Sequence, residues 1–177
     1  MALGLGNVEV AGNTVQVARY VDWFITTPLL LYTLVSLLVP RLPSNILLLT
    51  VIVLDLYMIV TGLLAAIDPG DARWGWFALS GLALVLLAAV LYGPVYRYAR
   101  GGKSFRFYQV LSLYLVILWF AYPVVWILSP VGVGVVSFEV ENILYLILDF
   151  LAKAVFSVMV LVALLRLARG QRTFRAQ

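Results

Sequence analysis

The chain has 177 residues, of which 64% are hydrophobic and only 11% charged, and its mean hydropathy is +1.07. A water-soluble domain of this size cannot hide so much apolar surface, so the chain reads as a membrane protein. The net charge of +4 sits in the breaks between apolar stretches, which argues against nucleic acid as a partner, and the absence of Cys and His excludes disulfides, thiolate metal sites and the commonest general base.

The first residues, Met1–Gly6, are apolar but too short to span, and no signal-peptide pattern precedes them. Crossing about 30 Å of hydrocarbon takes roughly 20 residues at a rise of about 1.5 Å. Stretches of that length are predicted at 17–39, 44–66, 74–97, 107–128 and 140–165. The breaks carry turn chemistry: Pro40 to Asn45, Asp68-Pro69-Gly70-Asp71, Arg100 to Ser104, and Ser129-Pro130 through Ser137. Because each break is short, consecutive helices must be antiparallel neighbours, which predicts an all-α, up-and-down transmembrane bundle forming a single domain over residues 1–177. Ser44-Asn45 and Ser104 are candidate N-caps of the second and fourth spans.

Short loops rich in Lys and Arg stay in the cytoplasm. Arg41, Arg97, Arg100, Lys103, Arg106, Arg166, Arg169, Arg172 and Arg175 fall on one side, whereas Arg73 stands on the other beside Glu9, Asp68, Asp71, Glu139 and Glu141. The N-terminus of this chain is therefore expected outside the cell membrane, with residues 166–177 as a basic cytoplasmic tail.

Five ionisable residues fall well inside the spans: Arg19, Asp22, Asp55, Asp149 and Lys153. A charge there costs about 3 kcal/mol on insertion scales, so each needs a partner or a neutral form. Arg19 and Asp22 are three apart on one helix face, and Asp149 and Lys153 are four apart on another. Two cations and two anions form a neutral quartet if the two faces meet; such a quartet can be a structural staple or a working site. Asp55 lacks a cationic partner and is expected to be protonated and hydrogen-bonded to a neighbouring helix. Thr26, one turn from Asp22, is expected to reach its carboxylate, and the stripe Arg19, Asp22, Thr26, Leu30, Thr33 continues along the first span.

In the fourth span Trp119, Tyr122, Pro123 and Trp126 share one face at helical spacing. With Tyr20, Trp23, Met58, and Trp76 or Phe77, they can pack as core or wall a slot for a long apolar ligand. Lys153 tilts the balance toward a ligand. A neutral lysine amine forms Schiff bases with carbonyl compounds, so a deep lysine, nearby carboxylates and an aromatic slot together describe a site for a covalently bound aldehyde.

The string Ala18-Arg19-Tyr20-Val21-Asp22-Trp23-Phe24-Ile25-Thr26-Thr27-Pro28-Leu29-Leu30-Leu31 resembles the third transmembrane helix of the microbial rhodopsins, the bacteriorhodopsin and sensory rhodopsin II group. Leu118 to Trp126 resembles their sixth helix, and Leu148-Asp149-Phe150-Leu151-Ala152-Lys153 their seventh. The resemblance implies that Lys153 carries all-trans retinal as a protonated Schiff base, that Asp22 is counter-ion and proton acceptor, and that Asp149 is the second counter-ion. It implies further that Thr26 hydrogen-bonds Asp22, and that Arg19 lies toward the outer surface with Glu141 in proton release. Trp23, Thr27, Met58, Phe77, Ser80, Trp119, Tyr122 and Trp126 fall at retinal-pocket positions, Phe77 replacing a tryptophan, and Asp55 matches a protonated aspartate. Residues 1–16 then form an outer hairpin segment between a second and a third helix. Five of the family's seven helices are accounted for, and the reading frame is expected to continue upstream of Met1.

The implied activity is light-driven outward proton pumping, not enzymatic turnover. Thr33 stands where efficient pumps carry a carboxylate proton donor, which implies slow reprotonation, and Val131 replaces an outer glutamate. The alternative is a photosensor signalling to a membrane transducer, which Thr33 favours and Ala152 disfavours, since the sensory group has threonine there. A structural bundle without cofactor is the remote third reading. Beyond the lipid bilayer and protons, the resemblance implies a homo-oligomer such as a trimer, or a transducer, as partner.

Overall fold

The computed structural model describes residues 6–39 and 45–175, with side chains as far as Arg169. The opening run Met1 to Leu5, the break from Pro40 to Ser44 with Arg41, and the side chains of Arg172 and Arg175 lie outside the described residues. The chain starts as a two-stranded antiparallel hairpin, β1 (Asn7–Val10) and β2 (Asn13–Gln16), in register Val10↔Asn13 to Asn7↔Gln16. Its two-residue turn, Ala11 (φ 49°) and Gly12 (φ 82°), has both residues in the left-handed region that matches the strand twist. The Ala18 N–H donates to Gly6 O at 3.1 Å, tying the hairpin to the helix that follows.

Among the described residues, five helical segments are long and apolar enough to cross a membrane. They comprise α1 (Val17–Leu38), α2 (Ile46–Ile67), α3 (Ala72–Val90) continued by α4 (Tyr96–Ala99), α5 (Phe105–Leu128), and α6 (Phe138–Asp149) continued by α7 (Phe156–Arg175). Two π turns, Leu91–Val95 and Phe150–Val155, join α3 to α4 and α6 to α7. Periodicity does not foretell them, because each adds only a local widening to a continuous apolar run. The large apolar side chains left on the outside, Ile25, Leu29, Leu146 and Leu161 among them, suit acyl chains and would be indefensible in water.

Two of the expected helix caps take another form. Asn45 and Ser104 do precede α2 and α5, but neither side chain caps its own helix. The Ser104 hydroxyl instead donates to Leu38 O at 2.5 Å, satisfying one of the carbonyls orphaned at the end of α1. Ser137 caps α6, accepting from the Val140 N–H.

Two buried clusters hold the bundle. One, built on Leu31, Leu34, Leu87, Tyr108, Leu115 and Phe156, fills one half; the other, built on Tyr20, Trp23, Val125, Trp126 and Tyr145, fills the half beside the hairpin. Met58 and Tyr122 pack against both, and the candidate site lies between them.

Candidate functional site

Lys153 sits inside the second π turn, and its ammonium reaches two carboxylates on two helices. It forms an ion pair with Asp22 Oδ2 of α1 and another, at 3.3 Å, with Asp149 Oδ2 one turn earlier on its own segment. Asp149 is held from the opposite side: Trp23 Nε1 donates to its Oδ1 at 2.9 Å and the Tyr122 hydroxyl donates to the same oxygen at 2.8 Å. One cation faces two anions, and two neutral donors spread the charge of the second anion. The Asp22 side chain is 47% exposed and that of Lys153 24%, so the described helices leave this side of the pair open.

The expected quartet is not how the charges pair. Arg19 turns away from Asp22 and donates from Nη1 to Glu141 Oε1 at 2.9 Å, with Nη2 bonded to Gln16 Oε1 at 2.9 Å and to Asn142 Oδ1. Its guanidinium lies 4.1 Å from the ring centroid of Tyr145, a cation–π contact. The reason is competition: a planar fork with five donors is served better by one carboxylate, two amide oxygens and an aromatic face than by an aspartate already paired with an ammonium. Arg19 with Glu141 and Lys153 with its two aspartates are thus separate centres joined through Trp23 and Tyr145, whose rings meet edge to face at 5.3 Å.

Thr26 also departs from expectation. Its hydroxyl donates to the backbone carbonyl of Asp22 at 2.8 Å, not to the carboxylate, and Thr33 does the same to Leu29 O. A helical threonine has the carbonyl four residues back within reach at no cost in packing, and that bond wins over a carboxylate engaged elsewhere.

Beside the charged centre lies an aromatic cleft. Trp119, Tyr122, Pro123 and Trp126 of α5 line it, with Trp23 and Thr27 of α1, Met58 of α2, and Phe77 and Ser80 of α3. Phe77 stacks on Trp126 with centroids 4.5 Å apart, and Ser80 ties α3 to α2 by donating to Met58 O at 2.8 Å. All eight pocket residues expected from the resemblance line this cleft, whereas Trp76 packs behind it. Tyr145, Ile59, Gly62 and Leu84 complete the lining. Tyr145 was legible in principle, since Glu141, Tyr145 and Asp149 recur every four residues on one face of α6. Lys153 itself does not line the cleft, yet Trp23 and Tyr122 do, and both hydrogen-bond the carboxylate that faces its amine.

Asp55 is fully buried and its Oδ2 lies 2.8 Å from Thr27 Oγ1, so it does bond a neighbouring helix. Thr27 has one hydroxyl proton, and its other contact, Trp23 O at 2.8 Å, can only accept. A proton on Asp55 lets both bonds form at once. Thr27→Val should then lower stability by about 1–3 kcal/mol by orphaning a buried acid group. Thermal melts of the purified protein check this: Thr27→Ser should melt like the parent, and Asp55→Leu added to Thr27→Val should restore most of the loss.

The residues present fit an elongated flat polyene aldehyde. A lysine amine flanked by carboxylates is linked through Asp149 to Trp23 and Tyr122 of a slot walled by flat rings, and the buried Trp126 Nε1 in that slot has no hydrogen-bond partner among the described residues.

A family profile described as bacteriorhodopsin-like protein matches residues 1–167. Sensory rhodopsin-2 of Haloarcula vallismortis is 33% identical over 176 residues, covering 98% of this chain and 73% of its own length. Bacteriorhodopsin of Haloterrigena sp. (strain arg-4) is 41% identical, covering 91% of this chain and 66% of its own. The crystal structure of the proton-pumping rhodopsin AR2 from the marine alga Acetabularia acetabulum superposes with a TM-score of 0.85 at 32% identity, covering 92% of this chain and 71% of that one. The profile, the identities and the shared fold establish that the chain belongs to the microbial rhodopsin family, whose members are light-driven pumps or photosensors and not enzymes.

Proposed function

We propose that this chain is a light-activated retinal protein and that its work is outward proton transfer from Lys153 toward Asp22. The observation that carries the reading is the placement of Lys153 Nζ between Asp22 and Asp149, with the aromatic cleft one hydrogen bond away. Retinal, held by Lys153 along the cleft, supplies light absorption and isomerisation. Trp23, Trp119, Tyr122 and Trp126, with Met58, Phe77, Ser80 and Thr27, are the cleft residues that would hold it.

The two aspartates serve differently. Asp149 is fixed by Trp23 and Tyr122 and remains the standing negative charge, whereas Asp22 takes its carboxylate contact from Lys153 and is free to accept the proton at Oδ2. Thr26 anchors the backbone beneath Asp22 rather than its carboxylate. The Arg19–Glu141 pair stands between this centre and the end of the bundle bearing the hairpin, which the basic residues at the opposite end mark as the outer side. Paired with Arg19, Glu141 acts by steering that guanidinium, and release waits on the rearrangement of the pair.

Thr33 offers no carboxylate on the other side of Lys153, and its hydroxyl is committed to Leu29 O. Return of the proton to Lys153 therefore depends on water and should be slow. That same feature supports the second reading, a photosensor whose long-lived state is passed to a membrane transducer, which relatives named as sensory rhodopsins also favour. Illuminated cells or vesicles separate the two. A pump acidifies the outside, faster when azide supplies protons; no acidification with or without azide, from material that is coloured, would overturn the pump reading in favour of the sensor.

A further inference from the structure

The two π turns share a device. Each has a carbonyl that accepts a tyrosine hydroxyl from α5: Tyr108 donates to Leu91 O at 2.7 Å in the first, and Tyr114 donates to Leu151 O at 3.0 Å in the second. A π turn replaces the four-residue hydrogen-bond step with a five-residue one. It is rare, and as a single widened turn it persists where surrounding contacts favour it. In hydrocarbon there is no water to occupy a carbonyl's second lone pair, so a protein donor placed there has a large say in which turn is stable.

In the second π turn the Phe156 N–H bonds Leu151 O, and the ring so closed encloses residues 152–155, Lys153 among them. Tyr114 donates to that same carbonyl. In α register the Leu151 carbonyl would accept from the Val155 N–H. Shortening the ring by one residue would turn the segment beyond it by about 100° relative to α6. Asp149, four residues away on the same chain, stays near Lys153 in either register. Asp22 belongs to another helix and pairs with Lys153 in the register observed, so a change of register at this turn would shift the amine relative to that carboxylate. Tyr114 touches neither carboxylate and does not line the cleft, so any influence it has on the site passes through the backbone of this turn.

We propose that Tyr114 is the positioning residue for Lys153, its hydroxyl holding the second π turn open so that the amine stands against Asp22. The importance of this rests on Lys153 being the working amine, but its test does not need retinal. The chain has two lysines, Lys103 and Lys153, so protein labelled with ¹⁵N-lysine and carrying Lys103→Arg yields one side-chain nitrogen resonance. In the retinal-free full chain in lipid nanodiscs, Tyr114→Phe should displace that resonance by more than its linewidth. Tyr108→Phe, which removes the corresponding bond from the first π turn, should leave it in place. Asp22→Asn should displace it in the parent and much less in the Tyr114→Phe background, where the contact is already lost.

The proposal is overturned if the Tyr114→Phe resonance superimposes on the parent's. Equal displacement in both tyrosine variants, or loss of helicity in Tyr114→Phe, overturns it as well, since either means general loosening rather than local positioning. Addition of all-trans retinal forms a separate arm. A colourless parent with a displaced resonance defeats the retinal reading and leaves the positioning role; a coloured parent with an unmoved resonance does the reverse.

Discussion

Lys153→Ala should abolish colour completely. With all-trans retinal added, the parent is expected to develop a visible absorption band and the variant none, because the chain's only other lysine, Lys103, lies in the loop after α4 and does not line the cleft. The aromatic walls remain intact in the variant, so retinal can still enter by apolar partition; what is lost is the nucleophilic amine and the positive charge that Asp22 and Asp149 are arranged to meet. The variant also leaves two carboxylates facing each other without a cation, so a milder melt is expected alongside the colour loss. A visible band that persists in Lys153→Ala would falsify the attachment site.

Asp22→Asn should have the second largest effect, on colour and proton movement together. A negative charge beside a positive nitrogen favours the ground state, where the positive charge is localised there, more than the excited state, where it is spread along the polyene. The attraction is about 4 kcal/mol for unit charges about 4 Å apart in an effective dielectric of roughly 20, and losing part of it lowers the excitation energy. The band should move to the red, and light-driven acidification should cease, since the amide cannot accept a proton. Asp149→Asn should shift the band less, because Trp23 and Tyr122 already disperse the charge of Asp149. Absorption spectra of the two variants side by side check this, and a larger shift for Asp149→Asn would reverse their assigned roles.

These expectations draw on different levels of information. The five membrane crossings, the intramembrane charges and the aromatic face of α5 follow from composition and helical spacing, because a helix in hydrocarbon satisfies its own backbone and only the side-chain pattern has to be read. The short breaks between apolar runs likewise dictate antiparallel neighbours. The strings around Asp22, Trp119 and Lys153 carry the family likeness directly.

What the pattern along the chain does not encode is which partner each polar group selects once helices meet. Arg19 is three residues from Asp22 but bonds Glu141, 122 residues away, because a guanidinium gains more from a free carboxylate and two amides than from a shared aspartate. Thr26 gives its single hydroxyl proton to its own helix carbonyl rather than to the Asp22 carboxylate, and the Ser104 hydroxyl, in place of capping α5, donates to the end of α1 that packing brings beside it. Asp55 with Thr27, Asp149 with Trp23 and Tyr122, and Tyr114 on the π turn around Lys153 all join one helical segment to another. Sequence periodicity fixes the direction in which each of these side chains leaves its own helix, whereas distance and angle between helices, set by the packing of the whole bundle, decide what it finds there.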